Sequence, residues 1–242
     1  MGDPLSLRLS RRVECVVRGA WRNFGIDSLT GRHIYLREDL LRLGSDYGGW
    51  IIPATLIERG SVCYCAGAGE DITFDLALVE RFGCDVHIFD PTPRAIAHVK
   101  RVAAAVPQIH LHPVGLWDRE ETLKFYAPAN PAHVSHSVLN LQHTDAYFEA
   151  RCCSLPDLMR SNGHDHLDLL KIDIEGAEYR VLQSLLANRI YVRVLCVEYD
   201  EAVHPVTRAS RARIVESVAS LLDHGYQLVA QEGRSNYSFV TH

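Results

Sequence analysis

The 242-residue sequence predicts an α/β fold, a doubly wound and mostly parallel sheet of seven strands with an antiparallel edge. Three observations predict it. From Val62 onward, short apolar runs alternate with segments of helical spacing, the order that builds a parallel sheet through right-handed crossovers. The run Leu167 to Ile172 ends in carboxylates and turns through Gly176 into a helix, as strands do where an open sheet carries its ligand site. The chain closes with two apolar runs, Tyr226 to Gln231 and Tyr237 to Thr241, too close together for a crossover helix.

Leu5 to Phe24 places Leu7, Val13, Val16, Val17, Ala20, Trp21 and Phe24 near one helical face with arginines on the others, so a packing helix or lid is expected. Ile26 to Leu36 alternates around Thr30-Gly31, the pattern of a small hairpin, and Gly44 to Trp50 breaks regular structure. These elements form an N-terminal extension over residues 1–50, and residues 51–242 form the domain. Within it the order reads strand Val62 to Ala66, helix Ile72 to Phe82, strand Val86 to Phe89, helix Pro93 to Ala105 and strand Ile109 to Pro113. A polar stretch (Glu120 to Phe125) and a loop rich in Pro, His and Ser (Ala127 to Ser137) follow. Tyr147, Phe148, Cys152 and Cys153 lie on a strand before a helix capped at Ser154-Leu155-Pro156-Asp157. Then come strand Leu167 to Ile172, helix Tyr179 to Leu186, strand Val192 to Val197 and helix Arg208 to His224 before the closing pair.

A formal charge of −5, from 25 basic and 30 acidic residues, argues against nucleic acid or a membrane surface as the main partner. No stretch approaches the length of a membrane span, and Met1-Gly2-Asp3-Pro4 has no apolar run behind a charged tip, so a cytoplasmic protein is expected. Seven cysteines without a Cys-x-x-Cys pair indicate reduced, buried thiols rather than disulfides or a zinc knuckle. The amphipathic N-terminal helix can cap its own domain or that of a second copy in a homodimer.

Gly67 and Gly69 directly follow the first core strand, where glycine lets the backbone approach a ligand and a helix N-terminus follows. Asp90 ends the next strand, where a carboxylate can accept hydrogen bonds from both ribose hydroxyls of an adenosine, cap the helix near Pro93, or do both. A dinucleotide fingerprint would need a third glycine at the position of Ile72, and Glu70 and Asp71 would repel a diphosphate. A sulfonium carrying an ammonium suits those carboxylates better.

Taken together, Cys63-Tyr64-Cys65-Ala66-Gly67-Ala68-Gly69-Glu70-Asp71, Phe89-Asp90-Pro91 and Leu170-Lys171-Ile172-Asp173-Ile174-Glu175-Gly176-Ala177-Glu178 closely resemble the FkbM family of S-adenosylmethionine-dependent methyltransferases, over roughly Tyr47 to Asp200. The resemblance implies the class I methyltransferase, Rossmann-like fold. It implies S-adenosylmethionine contacts at Gly67, Gly69, Asp90 and Asp173, and at Gly115 and Leu116 in the turn flanking the adenine. Ser45, Tyr47 and Trp50 resemble the element that folds over the methionine end in related sequences; a plain linker is the alternative. The sequence departs from the common pattern where Cys65 replaces an acidic residue and Asp71 a glycine, which leaves the methionine contacts of these two positions open.

Methyl transfer to a hydroxyl requires an aligned acceptor and removal of its proton. Asp173 and Glu175 end one strand, and Glu198 and Asp200 end its expected neighbour. This resembles metal-dependent O-methyltransferases, in which carboxylates at those strand ends hold magnesium; Asp173 and Glu198 match, Glu175 and Asp200 are candidates for a third ligand, and Tyr199 occupies the other slot. Without metal, Asp173 or Glu198 is a partner of the methionine ammonium or a general base, and Lys171 neutralises one carboxylate. His136, His133 and His204 are further candidate bases, His136 foremost. The expectation is O-methylation of a hydroxyl on a sugar, glycolipid or natural product. The alternatives are an NAD-dependent oxidoreductase and a non-catalytic S-adenosylmethionine-binding module.

Overall fold

The strands Val62–Ala66 (β3), Asp85–Phe89 (β4), Ile109–His112 (β5), Leu167–Ile172 (β9), Val192–Glu198 (β10), Gln227–Glu232 (β11) and Asn236–Val240 (β12) form one sheet in the order β11-β12-β10-β9-β3-β4-β5. The computed structural model describes residues 26–130, 134–140, 142–203, 205 and 207–241. The amphipathic segment Leu5 to Phe24, His133 and His204 lie outside them. β3 pairs in parallel with β4 and β9, and β9 with β10, while β12 runs antiparallel between β10 and β11 and makes the antiparallel edge. From β3 the chain moves outward through β4 and β5, then returns to the other side of β3 with β9. The topological switch therefore lies between β3 and β9, and their carboxyl ends meet beside Gly67 and Asp173.

Side chains alternate across the sheet and fill two layers. Cys63, Cys65, Val86 and Ile88 face the helices Thr73–Phe82 (α1) and Pro93–Val102 (α2). Tyr64, Phe89, Leu170 and Leu195 face Leu155–Asn162 (α3), Glu178–Ala187 (α4) and Ser210–Asp223 (α5). α3 begins as its sequence predicts: Ser154 Oγ accepts from Asp157 N at 3.3 Å, Pro156 sits in the first turn, and Gly163 ends the helix at φ +75°. α2 stops at Val102, three residues before the expected Ala105.

Two elements differ from the sequence expectation. Leu40–Leu43 (β1) and Trp50–Pro53 (β2) form an antiparallel hairpin whose connection is the Gly44-to-Gly49 segment. Trp50 is consequently buried in the core rather than free to fold over a ligand. The polar stretch after β5 is also strand: Gly115–Trp117 (β6), Glu121–Tyr126 (β7) and Tyr147–Ser154 (β8) make a second sheet in the order β6-β8-β7.

Four histidines gather beside β4 and β5. The His87 ring stacks on His110 and His112 with centroids 4.6 and 5.2 Å away, and His164 meets it edge-on at 4.8 Å. His87 Nδ1 and His112 Nε2 share a 3.0 Å hydrogen bond, which needs one of them neutral. His164 Nδ1 bonds Tyr64 Oη at 2.8 Å, and Asp85 pairs with His110 at 3.2 Å. Burial, then the charge of neighbouring imidazoles, pushes His87 down to about 3 and lowers His112. The unfolded chain therefore takes up protons below the ordinary value of 6.5 that the fold refuses, so stability falls as pH drops through that window. We expect thermal unfolding to show a loss of about 1 kcal/mol per pH unit below about pH 6. His87→Phe, which keeps a flat ring in place, should flatten that dependence; an unchanged slope would contradict this account.

Candidate active site

A cavity of about 740 Å³ opens over the carboxyl ends of β3, β4, β9 and β10. Its floor at the switch point is a close backbone crossing. Gly67 N donates to Phe89 O at 3.0 Å, Asp173 N donates to Ala66 O at 3.1 Å, and Gly67 adopts φ +86°. A Cβ at Gly67 would stand 1.7 Å from the Asp173 carbonyl oxygen, so only glycine fits. Asp90 shapes this end with both oxygens: Oδ2 accepts from Ala68 N (2.8 Å) and Gly69 N (3.2 Å), and Oδ1 from Thr92 N (2.8 Å). Asp90 thus holds the glycine loop and the entry to α2 while lining the cavity.

The amides that a dinucleotide diphosphate would need are thereby already taken. At the start of α1 the same holds, because Asp71 Oδ1 accepts from Thr73 N at 2.9 Å. Asp71 Oδ2 accepts from Ser45 Oγ at 2.5 Å, and Ser45 Oγ accepts from Gly48 N at 2.9 Å, which fastens the β1–β2 connection over the cavity. Tyr47, in that connection, lines the mouth while its side chain stands largely in solvent.

The other end is acidic, with one buried cation. Lys171 and Asp173 share a strand face, and Lys171 Nζ donates to Asp173 Oδ2 at 2.9 Å and to Gly67 O at 2.6 Å. Burial would lower the Lys171 pKa, but the charges of Asp173 and Asp75 outweigh it and hold it above its ordinary value. Beyond Asp173 the chain turns through Glu175 (φ +55°) and Gly176 (φ +97°). The buried Glu178, in the first turn of α4, closes this turn by accepting from Ile174 N (3.1 Å) and Gly176 N (3.0 Å). Ser137 Oγ donates to Glu175 O at 2.6 Å and ties the roof loop to the same turn.

Burial, then the charge of Asp173, pushes Glu198 up to about 8; burial also raises Glu175, against a hydrogen bond from Ser135. Asp200 is raised by burial and then by Glu178, Glu175, Asp173 and Glu198. His136 lines the roof, its Nδ1 bonded to Val134 O at 2.8 Å and its ring edge-on to Phe148.

The cavity brings together the expected residues Tyr47, Gly67, Gly69, Asp71, Asp90, Gly115, Leu116, Asp173, Glu175, Glu198 and His136. Cys65 is the exception: its side chain points from β3 into the core below, against Asp75, and does not line the cavity. Trp117 is likewise buried, packed with Cys152 and Ala177. The magnesium expectation does not fit the donor set. Among the described residues no group of three or more His, Cys, Asp or Glu is arranged to hold a metal ion. One oxygen of Asp173 belongs to Lys171, and Glu198 Oε1 accepts from Ser235 Oγ at 3.2 Å. The sequence reading missed Asp75, Glu178 and the depth of Lys171, although the i, i+2 spacing of Lys171 and Asp173 signals a shared face.

The model of the methyltransferase FkbM domain matches residues 65–228. The 31-O-demethyl-FK506 methyltransferase FkbM of Streptomyces tacrolimicus is 28% identical over 206 residues, covering 73% of this chain and 76% of that protein. A probable methyltransferase-like protein 24 of Rattus norvegicus is 28% identical over 141 residues, 58% of this chain. The chain spans about a third of the length of that relative and of its human counterpart. Among solved structures, Aeropyrum pernix fibrillarin in complex with natively bound S-adenosyl-L-methionine is similar with a TM-score of 0.43 and 10% identity, over 87% of this chain and 85% of that one.

Proposed function

The chain belongs to the methyltransferase FkbM family, and on that premise we propose that it transfers a methyl group from S-adenosylmethionine to a hydroxyl of a small molecule such as a sugar, glycolipid or natural product. The observation that carries the reading is one cavity with two chemically distinct ends at the switch point of the sheet. The glycine loop, Asp90, Gly115 and Leu116 line the end suited to an adenosine, and Asp173, Glu175 and Glu198 line the end suited to a cation and an acceptor. Occupied loop amides favour a sulfonium cofactor over a dinucleotide.

When bound, S-adenosylmethionine supplies an electrophilic methyl. The protein's part is to orient and to move a proton. Asp173 would hold the methionine ammonium, the Ser45–Tyr47 connection would border that end, and Phe125, Val138 and His136 line the part of the cavity left for an acceptor. Glu175, Glu198 and His136 are the groups within the cavity that can take the hydroxyl proton. The Streptomyces relative is named for an O-demethyl substrate, which supports oxygen as the acceptor atom.

The test is transfer of a labelled methyl from S-adenosylmethionine to a panel of hydroxylated sugars, glycolipids and macrocyclic natural products, with magnesium and with a chelator. Label on an acceptor oxygen in both conditions is expected. Label on nitrogen or carbon, or abolition by the chelator, would overturn the acceptor assignment or the metal-free proton transfer respectively.

A further inference from the structure

The roof of the cavity and its acceptor-side floor come from separate parts of the chain, and a serine hydroxyl joins them. Val134, Ser135, His136 and Val138 line the cavity from the connection between β7 and β8, and Glu175 lines it from the turn between β9 and α4. Ser137, 5% exposed, stands between these two sets. Its Oγ donates to Glu175 O at 2.6 Å and accepts from Leu139 N at 3.1 Å, so the hydroxyl is used in both directions. Its main chain is paired as well: Ser137 N donates to Tyr126 O at 3.1 Å and Tyr126 N to Ser137 O at 2.9 Å, which fixes the serine to the end of β7.

The carbonyl that Ser137 holds belongs to the strained residue of the turn. Glu175 sits at φ +55°, in the left-handed region that a residue with a side chain occupies only where its surroundings enforce it. Glu178 Oε1 takes the amides before and after it, Ile174 N at 3.1 Å and Gly176 N at 3.0 Å. Those bonds leave the Glu175 carbonyl, and Ser137 supplies its donor. We propose that Ser137 is a positioning residue of the acceptor end: its hydroxyl keeps Glu175 in the left-handed conformation from which it lines the cavity, and ties the roof that bears His136 to the same turn. The cavity lining, among the described residues, includes the neighbours of Ser137 and not Ser137, so the serine acts through Glu175 and His136. The cofactor end is built apart from it, on Asp90 and its bonds from Ala68 N, Gly69 N and Thr92 N. Val138 packs with Trp117, Cys152 and Ala177, apolar contact that alanine at position 137 leaves in place. This assignment rests on the proposed function for what occupies the acceptor end.

The test follows Ser137→Ala and Ser137→Thr by amide hydrogen exchange, calorimetry and kinetics. In Ser137→Ala the amides of Tyr126, Leu139, Ile174 and Gly176 should exchange about tenfold faster or more, while those of Ala68, Gly69 and Thr92 stay within about twofold of wild type. Affinity for S-adenosylhomocysteine should remain within about twofold, and kcat/KM for the acceptor of the panel that takes label should fall about tenfold or more, chiefly in kcat, because a displaced proton acceptor slows the chemical step. Threonine keeps the hydroxyl and should restore exchange and turnover to within about threefold of wild type. Faster exchange confined to Tyr126 and Leu139 overturns the inference, since the serine then holds the roof alone. So does a loss of about tenfold in S-adenosylhomocysteine affinity, a loss confined to KM, or a threonine variant no better than alanine. If Ser137→Ala does not fold, the wild type decides: protection of the four amides should agree within about threefold, and turn amides that differ about tenfold from roof amides reject the coupling. Without a labelled acceptor, exchange and calorimetry decide. Wild type that binds no S-adenosylhomocysteine rejects the proposed function, whereas the exchange pattern still shows whether Ser137 couples roof and turn.

Discussion

Asp173→Asn is expected to reduce methyl transfer at least a hundredfold while leaving a folded protein. Asparagine keeps the size of the side chain and its backbone bond to Ala66 O, so the crossing of β3 and β9 survives. It removes the charge proposed to hold the methionine ammonium, and a hydrogen bond to a charged group is worth about 1.5–3 kcal/mol, so that loss alone should weaken cofactor binding about ten- to hundredfold. It also strips Lys171 of its nearest counter-charge, 2.9 Å away. Removing one member of a buried pair costs about 3–5 kcal/mol, and Asp75 remains to offset part of this. Denaturant unfolding should therefore show a loss of about 2–3 kcal/mol with an unchanged m-value. Retained turnover would remove Asp173 from the site.

Gly67→Ala has a larger effect on the fold. The added methyl would stand 1.7 Å from the Asp173 carbonyl oxygen, a backbone atom that cannot swing aside. The residue would also have to hold φ +86°, a conformation that costs a residue with a Cβ about 1–3 kcal/mol before any clash. Separating the strand ends breaks the bonds from Gly67 N to Phe89 O and from Asp173 N to Ala66 O. A loss exceeding about 4 kcal/mol is expected, enough to leave little soluble protein. Gly69→Ala is the control: its Cβ would meet only Val134, at 3.8 Å, and φ +53° is the main penalty. A Gly67→Ala protein as stable as Gly69→Ala would contradict the crossing described here.

Much of this was legible in the sequence because the central strands are short apolar runs with sharp ends. β3 and β9 occupy the residues that the pattern predicts, and glycine or carboxylates mark their carboxyl ends. The position of the site follows from those ends. The β1–β2 hairpin was hidden because its strands are four residues each, one of them carrying Arg42, and a run that short does not show its period. β7, with Glu121, Thr122 and Lys124 on its exposed or partly exposed positions, read as a polar connection until its pairing with β8 was visible. Cys65 stands two residues before Gly67, beside the ligand end, and period-2 alternation turns its side chain into the core. The setting of Lys171 depends on Asp75, nearly a hundred residues earlier, and the histidine cluster on residues from β4 to the end of α3. Neither juxtaposition has a local signature.

The most direct measurement is calorimetric titration of the protein with S-adenosylhomocysteine and, separately, with NAD. One equivalent of S-adenosylhomocysteine binding with a Kd near the micromolar range, about −8 kcal/mol, and no binding of NAD is the predicted result. Preference for NAD, or binding of neither, would contradict the assignment of this cavity to a methyl donor.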